Sequence, residues 1–396
     1  MRLNRRIASL APSATLALDA RVKELVRQGQ DVISLAVGEP DFDTPDHIRA
    51  EGKAAIDAGF TRYTPAAGIP ELREAIARTI ERSSGVQYSP GQVVVSVGAK
   101  QAIFNALLAL CGPGDEVVIP APYWVSYAEQ VKLAGATPVV VPAREEEGWI
   151  LGAKELERAL TARSRALILN NPCNPTGAVY SKDQLSALAE VAVSRGLAII
   201  SDEVYERLVY EGSHTSLPSL GPEVRKHTVL VSGVSKTYAM TGWRIGWAAA
   251  EPDVARAMVD IQSHINSHPA SMAQRAALAA LCGPQDPVDR MLAEFARRRD
   301  YVVGRLQSLP GLKCGRPAGA FYAFPSVKGV LGKSVAGRRL ETSMDVSMVL
   351  LEEAKVAVVP GEAFGVGGYL RLSYALGQAR LAEALDRMER VLRAAS

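Results

Sequence analysis

Residues 232–246 read SGVSKTYAMTGWRIG. They continue TVLVSGVS (228–235), a short apolar run of the kind that forms a buried strand, and they lead into RIGWAAA (244–250), a second such run. Between the two, a strand ends in small residues and a single lysine, Lys236, follows. Arg244 stands eight positions further on. Small residues beside a lysine let a bulky partner approach its amine. A lone lysine after a strand is otherwise a surface residue, so the weight of the segment depends on what surrounds it.

Outward from this point the chain repeats one pattern. QVVVSVG (92–98), DEVVIPA (115–121), TPVVVPA (137–143), RALILNN (165–171) and GLAIISDE (196–203) are near-continuous apolar runs. Amphipathic stretches such as KQAIFNALLALC and KDQLSALAEVAVSRG separate them. Strands that are apolar on both faces and alternate with helices imply an α/β fold with a mostly parallel sheet covered on both sides. GPQDP (283–287) interrupts the pattern, and a charged helix over about 288–308 follows. AGAFYAF, KVAVVPG and YLRLSYA then come at looser spacing before a last helix. The expected organisation is a large domain over 46–285 and a smaller α/β domain over 286–396, with the segment 1–45 joining the smaller one. The Gly- and charge-rich stretch 327–343 reads as a mobile loop.

Composition narrows the possibilities. With 396 residues, 48% of them hydrophobic, the chain can bury a large core in two or three domains. A formal charge of +3 is too balanced for a nucleic-acid footprint. No apolar run approaches the roughly 18 residues of a membrane span, and the N-terminus lacks the apolar core of a signal peptide. The four cysteines form no CxxC pair, which fits a reducing cytoplasm and argues against a zinc ribbon. GKS at 332–334 is no phosphate loop, because Val327 stands where that motif needs glycine. No GxGxxG follows a strand, so a dinucleotide fold has no support. His264 and His268 lack a carboxylate to complete a metal site, so no metal is expected.

SGVSKTYAMTGWRIG resembles the lysine signature of the class I/II aminotransferases, pyridoxal-phosphate enzymes of fold type I. Gly233, Val234, Ser235, Lys236, Ala239, Met240, Gly242, Arg244, Ile245 and Gly246 all meet it. The resemblance implies that Lys236 forms a Schiff base with the cofactor and serves as the catalytic base and acid. Other segments are similar to the family in the same order, from about Pro12 to Tyr374. AIISDEVY (198–205) offers Asp202 for the pyridine nitrogen and Tyr205 for the ring hydroxyl, although an Asp there equally suits a helix N-cap. NNPCNPTG (170–177) offers Asn174 to the same oxygen; Cys173 departs from the usual polar residue. SVGAKQAIFNALLAL (96–110) is a strand, a glycine turn and a helix. The amides of Ala99 and Lys100, with Ser235 and Arg244, would take the phosphate. Gly233 departs from the Ser of many relatives. Trp124 of PAPYWVSY (120–127) would stack on the ring, whereas a lone Trp is otherwise a core residue.

For the substrate, the resemblance assigns Arg371 of YLRLSYA to the α-carboxylate and Gly38 of AVGEPDFDTP (36–45) to a backbone contact, beside Trp124 and Asn174. Tyr63 of YTPAAGIPELREAI (63–76) would reach the phosphate from the neighbouring subunit, which implies a homodimer with shared active sites. The nearest similarity is to the Ib branch, that of bacterial aspartate aminotransferases. There Lys100, helped by Ser13 and Thr15, would pair the distal carboxylate of an acidic substrate; the plainer reading is a helix-start lysine pointing to solvent. The implied activity moves an amino group from an L-amino acid, aspartate first, to 2-oxoglutarate. Prephenate, aromatic or neutral substrates are the alternatives, with a C–S lyase behind them. A regulator would need an added DNA-binding domain, for which a fold starting near residue 12 leaves no room.

Overall fold

A computed structural model describes residues 14–395. Its centre is a seven-stranded sheet. The strands are β1 (Val93–Val97), β2 (Glu116–Ala121), β3 (Thr137–Pro142), β4 (Ser164–Asn170), β5 (Ala198–Asp202), β6 (Thr228–Gly233) and β7 (Ile245–Ala249). Their order across the sheet is β1-β7-β6-β5-β4-β2-β3. β3, β2, β4, β5 and β6 run parallel, and β7 lies antiparallel between β6 and β1. The reversal has a local cause. A parallel crossover takes a dozen or more residues, usually a long helix. The link from β6 to β7 holds only the helical turn Val234–Thr237 and the short turn Thr241–Trp243, so the chain returns beside the strand it has just left.

The apolar runs are buried on both faces, as their lack of alternation predicts. Val94, Ile168, Ile200 and Val231 face one helical layer, while Val95, Leu230 and Ala249 face another. Toward the β3 edge, Val118, Leu167 and Ile199 pack on a third cluster.

A second, three-stranded antiparallel sheet carries the later part of the chain. It has the order β9-β10-β8, with β8 at Tyr322–Ala323, β9 at Val359–Pro360 and β10 at Leu370–Ser373. Near the N-terminus, Ile33–Ser34 pairs in parallel with Val356–Ala357. The Asp31 carboxylate, held down to about 2 by hydrogen bonds from Arg380 and Arg387, ties the same segment to the last helix. The stretch 327–343 is not the open loop its composition implies. Ser334–Val335 and Arg338–Arg339 form a small hairpin, and Val327, Val330, Val335 and Leu340 are buried. Four apolar anchors at irregular spacing escape a reading based on glycine and charge.

Candidate active site

The parallel strands end on one side of the sheet, and a cavity of about 420 Å³ opens there. Gly38, Ala99, Lys100, Trp124, Asn174, Asp202, Tyr205, Ser235, Lys236, Arg244 and Arg371, all expected from sequence, line it.

Lys236 sits just past β6, in the turn that reverses the chain. Its Nζ donates to the Gly38 carbonyl at 2.5 Å. Burial lowers its pKa from the ordinary 10.5 to about 8; Glu39 and Asp202 oppose that shift, while Arg371 and Arg244 add to it. An amine with a pKa this close to neutrality exchanges its proton readily.

Asp202 closes β5 and is buried. No helix follows it, so the N-cap alternative does not apply. Its carboxylate accepts from the Tyr127 hydroxyl at 2.6 Å and from the Val204 amide at 3.3 Å. Burial nevertheless pushes its pKa up to about 6. Glu203, the neighbouring acid, is taken up elsewhere by Ser201, the Leu217 amide and His214.

Helix α1 (Gly98–Leu110) starts directly at the end of β1, and no side chain caps its first turn. Its leading amides are therefore left for a ligand, at the positive end of the helix dipole. Gly98 has φ +76°, and a Cβ there would lie 2.7 Å from Arg244 Nη2. A glycine is thus what lets the guanidinium reach the helix start. Trp124 is half-buried, with its ring edge-on to Tyr127. Lys100 is exposed, but its ammonium lies 4.9 Å from the centre of the Trp124 ring and lines the cavity mouth.

Arg371 lies in β10 and is 6% exposed. It donates to Asn174 Oδ1 at 3.2 Å and to the Ala36 carbonyl at 2.5 Å, and its guanidinium stacks near Tyr322 and Phe364. Its Nε has no partner, and among the described residues its outer nitrogens bond only these two neutral oxygens. A buried cation without a counter-ion is costly unless a ligand supplies one.

Tyr63 is not in this cavity: it is 92% exposed, with its ring edge-on to His268. Ser13 lies outside the described residues, and so does the side chain of Thr15. The cavity also contains Tyr127, Asn170, Thr241 and Tyr322, which the sequence reading passed over. Tyr127 follows Trp124 by three positions in a quoted segment and was findable there. Tyr322, whose hydroxyl bonds that of Tyr205 at 2.8 Å, comes from a distant strand with no motif around it. A Cβ on Gly38 would meet the Tyr322 hydroxyl at 2.6 Å. Gly38→Ala is therefore expected to displace both the Tyr322 hydroxyl and the carbonyl that holds Lys236. It should lower kcat/KM by about 10–100-fold, measured by steady-state kinetics, with little change in melting temperature.

An amine poised near neutrality, a buried acid and an uncapped helix start flanked by arginine meet in one cavity at the carboxyl edge of an α/β sheet, the arrangement of an enzyme active site. The sequence matches the family model "Aminotransferase class I and II" over residues 30–388, and the chain belongs to that family. It is 47% identical to an aspartate aminotransferase of Geobacillus stearothermophilus over the whole of both chains. It is also 47% identical to an aspartate/prephenate aminotransferase of Cereibacter sphaeroides, over 98% of each. The crystal structure of the aspartate aminotransferase from Rhizobium meliloti superimposes with a TM-score of 0.97 at 43% identity, covering both chains completely.

Proposed function

We propose that this transaminase uses pyridoxal 5'-phosphate and moves an amino group between aspartate and 2-oxoglutarate. One observation carries the reading: a single cavity gathers Lys236, Asp202 and the start of α1 with Arg244, the three groups an amine-accepting pyridine phosphate needs. The donor set fits that group. The amides of Ala99 and Lys100, the Ser235 hydroxyl and Arg244 suit a phosphate, Asp202 a ring nitrogen, and Asn174 and Tyr205 a phenolic oxygen. Bound there, pyridoxal phosphate supplies an aldehyde carbon for the amine and an electron-withdrawing ring.

The chain's own residues perform the remaining work. Lys236 Nζ would hold the cofactor, take the proton from the substrate α-carbon and return it to the cofactor's aldehyde carbon, one nitrogen away. Arg371 grips the α-carboxylate with its fork and, with Asn174, Trp124 and Gly38, turns the α-proton toward Lys236. Asp202, as a carboxylate, would keep the proton on the ring nitrogen. Lys100, assisted by Ser13 and Thr15, takes the distal carboxylate.

Tyr63, exposed on one protomer, would serve a second copy of the chain: the partner subunit's Tyr63 completes the phosphate site in a homodimer. The division into a domain over 46–285 and a smaller one over 286–396 joined by 1–45 belongs to the same reading. So does a cytoplasmic location, which the four free thiols support. Among the described residues no helix is long and apolar enough to cross a membrane.

The test is the visible spectrum of the purified protein with pyridoxal phosphate, before and after aspartate is added. A yellow band that bleaches with aspartate is the expected result. No band would overturn the cofactor. A band that bleaches only with aromatic or neutral amino acids would keep the transaminase and remove the acidic substrate, and release of ammonia and pyruvate would indicate β-elimination. Lys100→Ala is expected to raise KM for aspartate about 10–100-fold, the worth of a charge-assisted hydrogen bond, and to leave that for neutral amino acids unchanged.

A further inference from the structure

Tyr127 is 2% exposed and lies in the short helix Ser126–Ala134, just after the Pro-Tyr-Trp turn. Its hydroxyl donates to Asp202 Oδ2 at 2.6 Å, a length typical of a bond to an ionised acceptor. The other carboxylate oxygen has only the long contact from the Val204 amide. Tyr127 is thus the one side chain that hydrogen-bonds this carboxylate among the described residues. Its ring also meets the Trp124 ring edge-on, with centroids 5.4 Å apart. The two walls that would hold a planar cofactor, one by stacking and one by its nitrogen, are therefore joined through a single side chain.

We propose that Tyr127 is a positioning residue which keeps the Asp202 carboxylate ionised and aimed into the cavity, so that the proton stays on the cofactor's ring nitrogen. The proposal rests on the pyridoxal-phosphate reading above. The electrostatic surroundings make such a donor necessary. Burial and the adjacent Glu203 favour the protonated acid, while Lys236 across the cavity favours the carboxylate. Tyr205 and Cys173 face the tyrosine, and burial holds their protons in place, so neither competes as an anion. A proton shared between a ring nitrogen and Asp202 has two arrangements, an ion pair and a neutral pair. A donor on the carboxylate favours the ion pair, and its loss moves the proton from nitrogen to oxygen.

The test compares the parent holoenzyme with Tyr127→Phe, which keeps the ring against Trp124 and removes only the hydroxyl. Both are reconstituted with pyridoxal phosphate labelled with nitrogen-15 in the ring, and the nitrogen resonance is followed by NMR against pH. The parent is expected to show a protonated nitrogen at neutral pH. Tyr127→Phe should be displaced toward the unprotonated position, with the ion pair disfavoured about tenfold. With α-deuterated aspartate, kcat should fall about tenfold and its isotope effect should rise, while KM stays within about twofold, because proton abstraction from carbon becomes the slow step. A variant resonance identical to the parent's overturns the proposal and leaves the cofactor reading intact. A parent that binds no cofactor overturns the reading, and the proposal with it. If Tyr127→Phe does not fold, Tyr127→difluorotyrosine decides the matter: a stronger donor of the same shape must raise the pH at which the ring nitrogen loses its proton, and an unchanged titration refutes the role.

Discussion

Lys236→Met is expected to abolish transamination, with a loss of about 10⁴-fold or more in kcat, because the proposed mechanism gives one amine the tasks of covalent anchor and proton carrier. The check is 2-oxo acid formation from aspartate, with the yellow band absent from the same preparation. The substitution has a second expected effect of opposite sign. In the cofactor-free protein the buried ammonium of Lys236 has its pKa depressed to about 8 from 10.5. Below pH 8 the charged form is present in both folded and unfolded chains, and the folded state bears the full cost, about 3 kcal/mol. Between about pH 8 and 10.5 the unfolded state binds more protons, so the stability of the parent apoprotein rises with pH across that window. Met at position 236 carries no charge. Urea unfolding at pH 7 should therefore find cofactor-free Lys236→Met more stable than the parent, with the gap closing toward pH 10. A variant less stable than the parent at pH 7 would mean that the Gly38 contact outweighs the burial of charge.

Arg371→Leu is expected to lower kcat/KM for aspartate by about 10²–10⁴-fold while leaving the absorption of the bound cofactor unchanged. The guanidinium is buried and lacks a carboxylate partner, and its two outer nitrogens are held by Asn174 and the Ala36 carbonyl. Such a group is oriented before substrate arrives, so little rotamer entropy remains to be lost on binding. Arg371→Lys should recover only a small part of the loss, since an ammonium offers no planar fork. Because removing an unpaired buried cation relieves a desolvation penalty, the melting temperature of Arg371→Leu should not fall. A large drop in melting temperature, or an equal loss of cofactor, would recast Arg371 as a structural residue.

Much of this site was legible in one dimension because its chemistry is carried by short segments that are strand ends and turns. The stretches 96–110, 120–127, 170–177, 198–205 and 232–246 each leave a strand or begin a helix, and each sends at least one side chain into the cavity. The antiparallel placement of β7 was less legible, because an apolar run carries no sign of direction; the short link before it decided the matter. The hairpin within 327–343 was hidden behind glycines and charges, since its buried residues follow no period. Tyr322 could not be singled out, because its importance comes from three contacts, with Tyr205, Arg371 and Gly38, that no neighbouring residue announces.

Apolar runs of five to seven residues and the helices between them are local properties, and so are glycine turns and a lysine among small residues. Those were enough to determine an α/β chain with a mostly parallel sheet, and the family resemblance they carry pointed to Lys236 and to the start of the helix after Gly98. The partners of that amine were not local. Lys236 meets a carbonyl 198 positions away and Arg371 one 335 positions away. Burial of both faces of the sheet brings such distant segments to its carboxyl edge. There desolvation moves Lys236 down toward neutrality and Asp202 up toward it, and the Tyr127 hydroxyl holds the carboxylate in place.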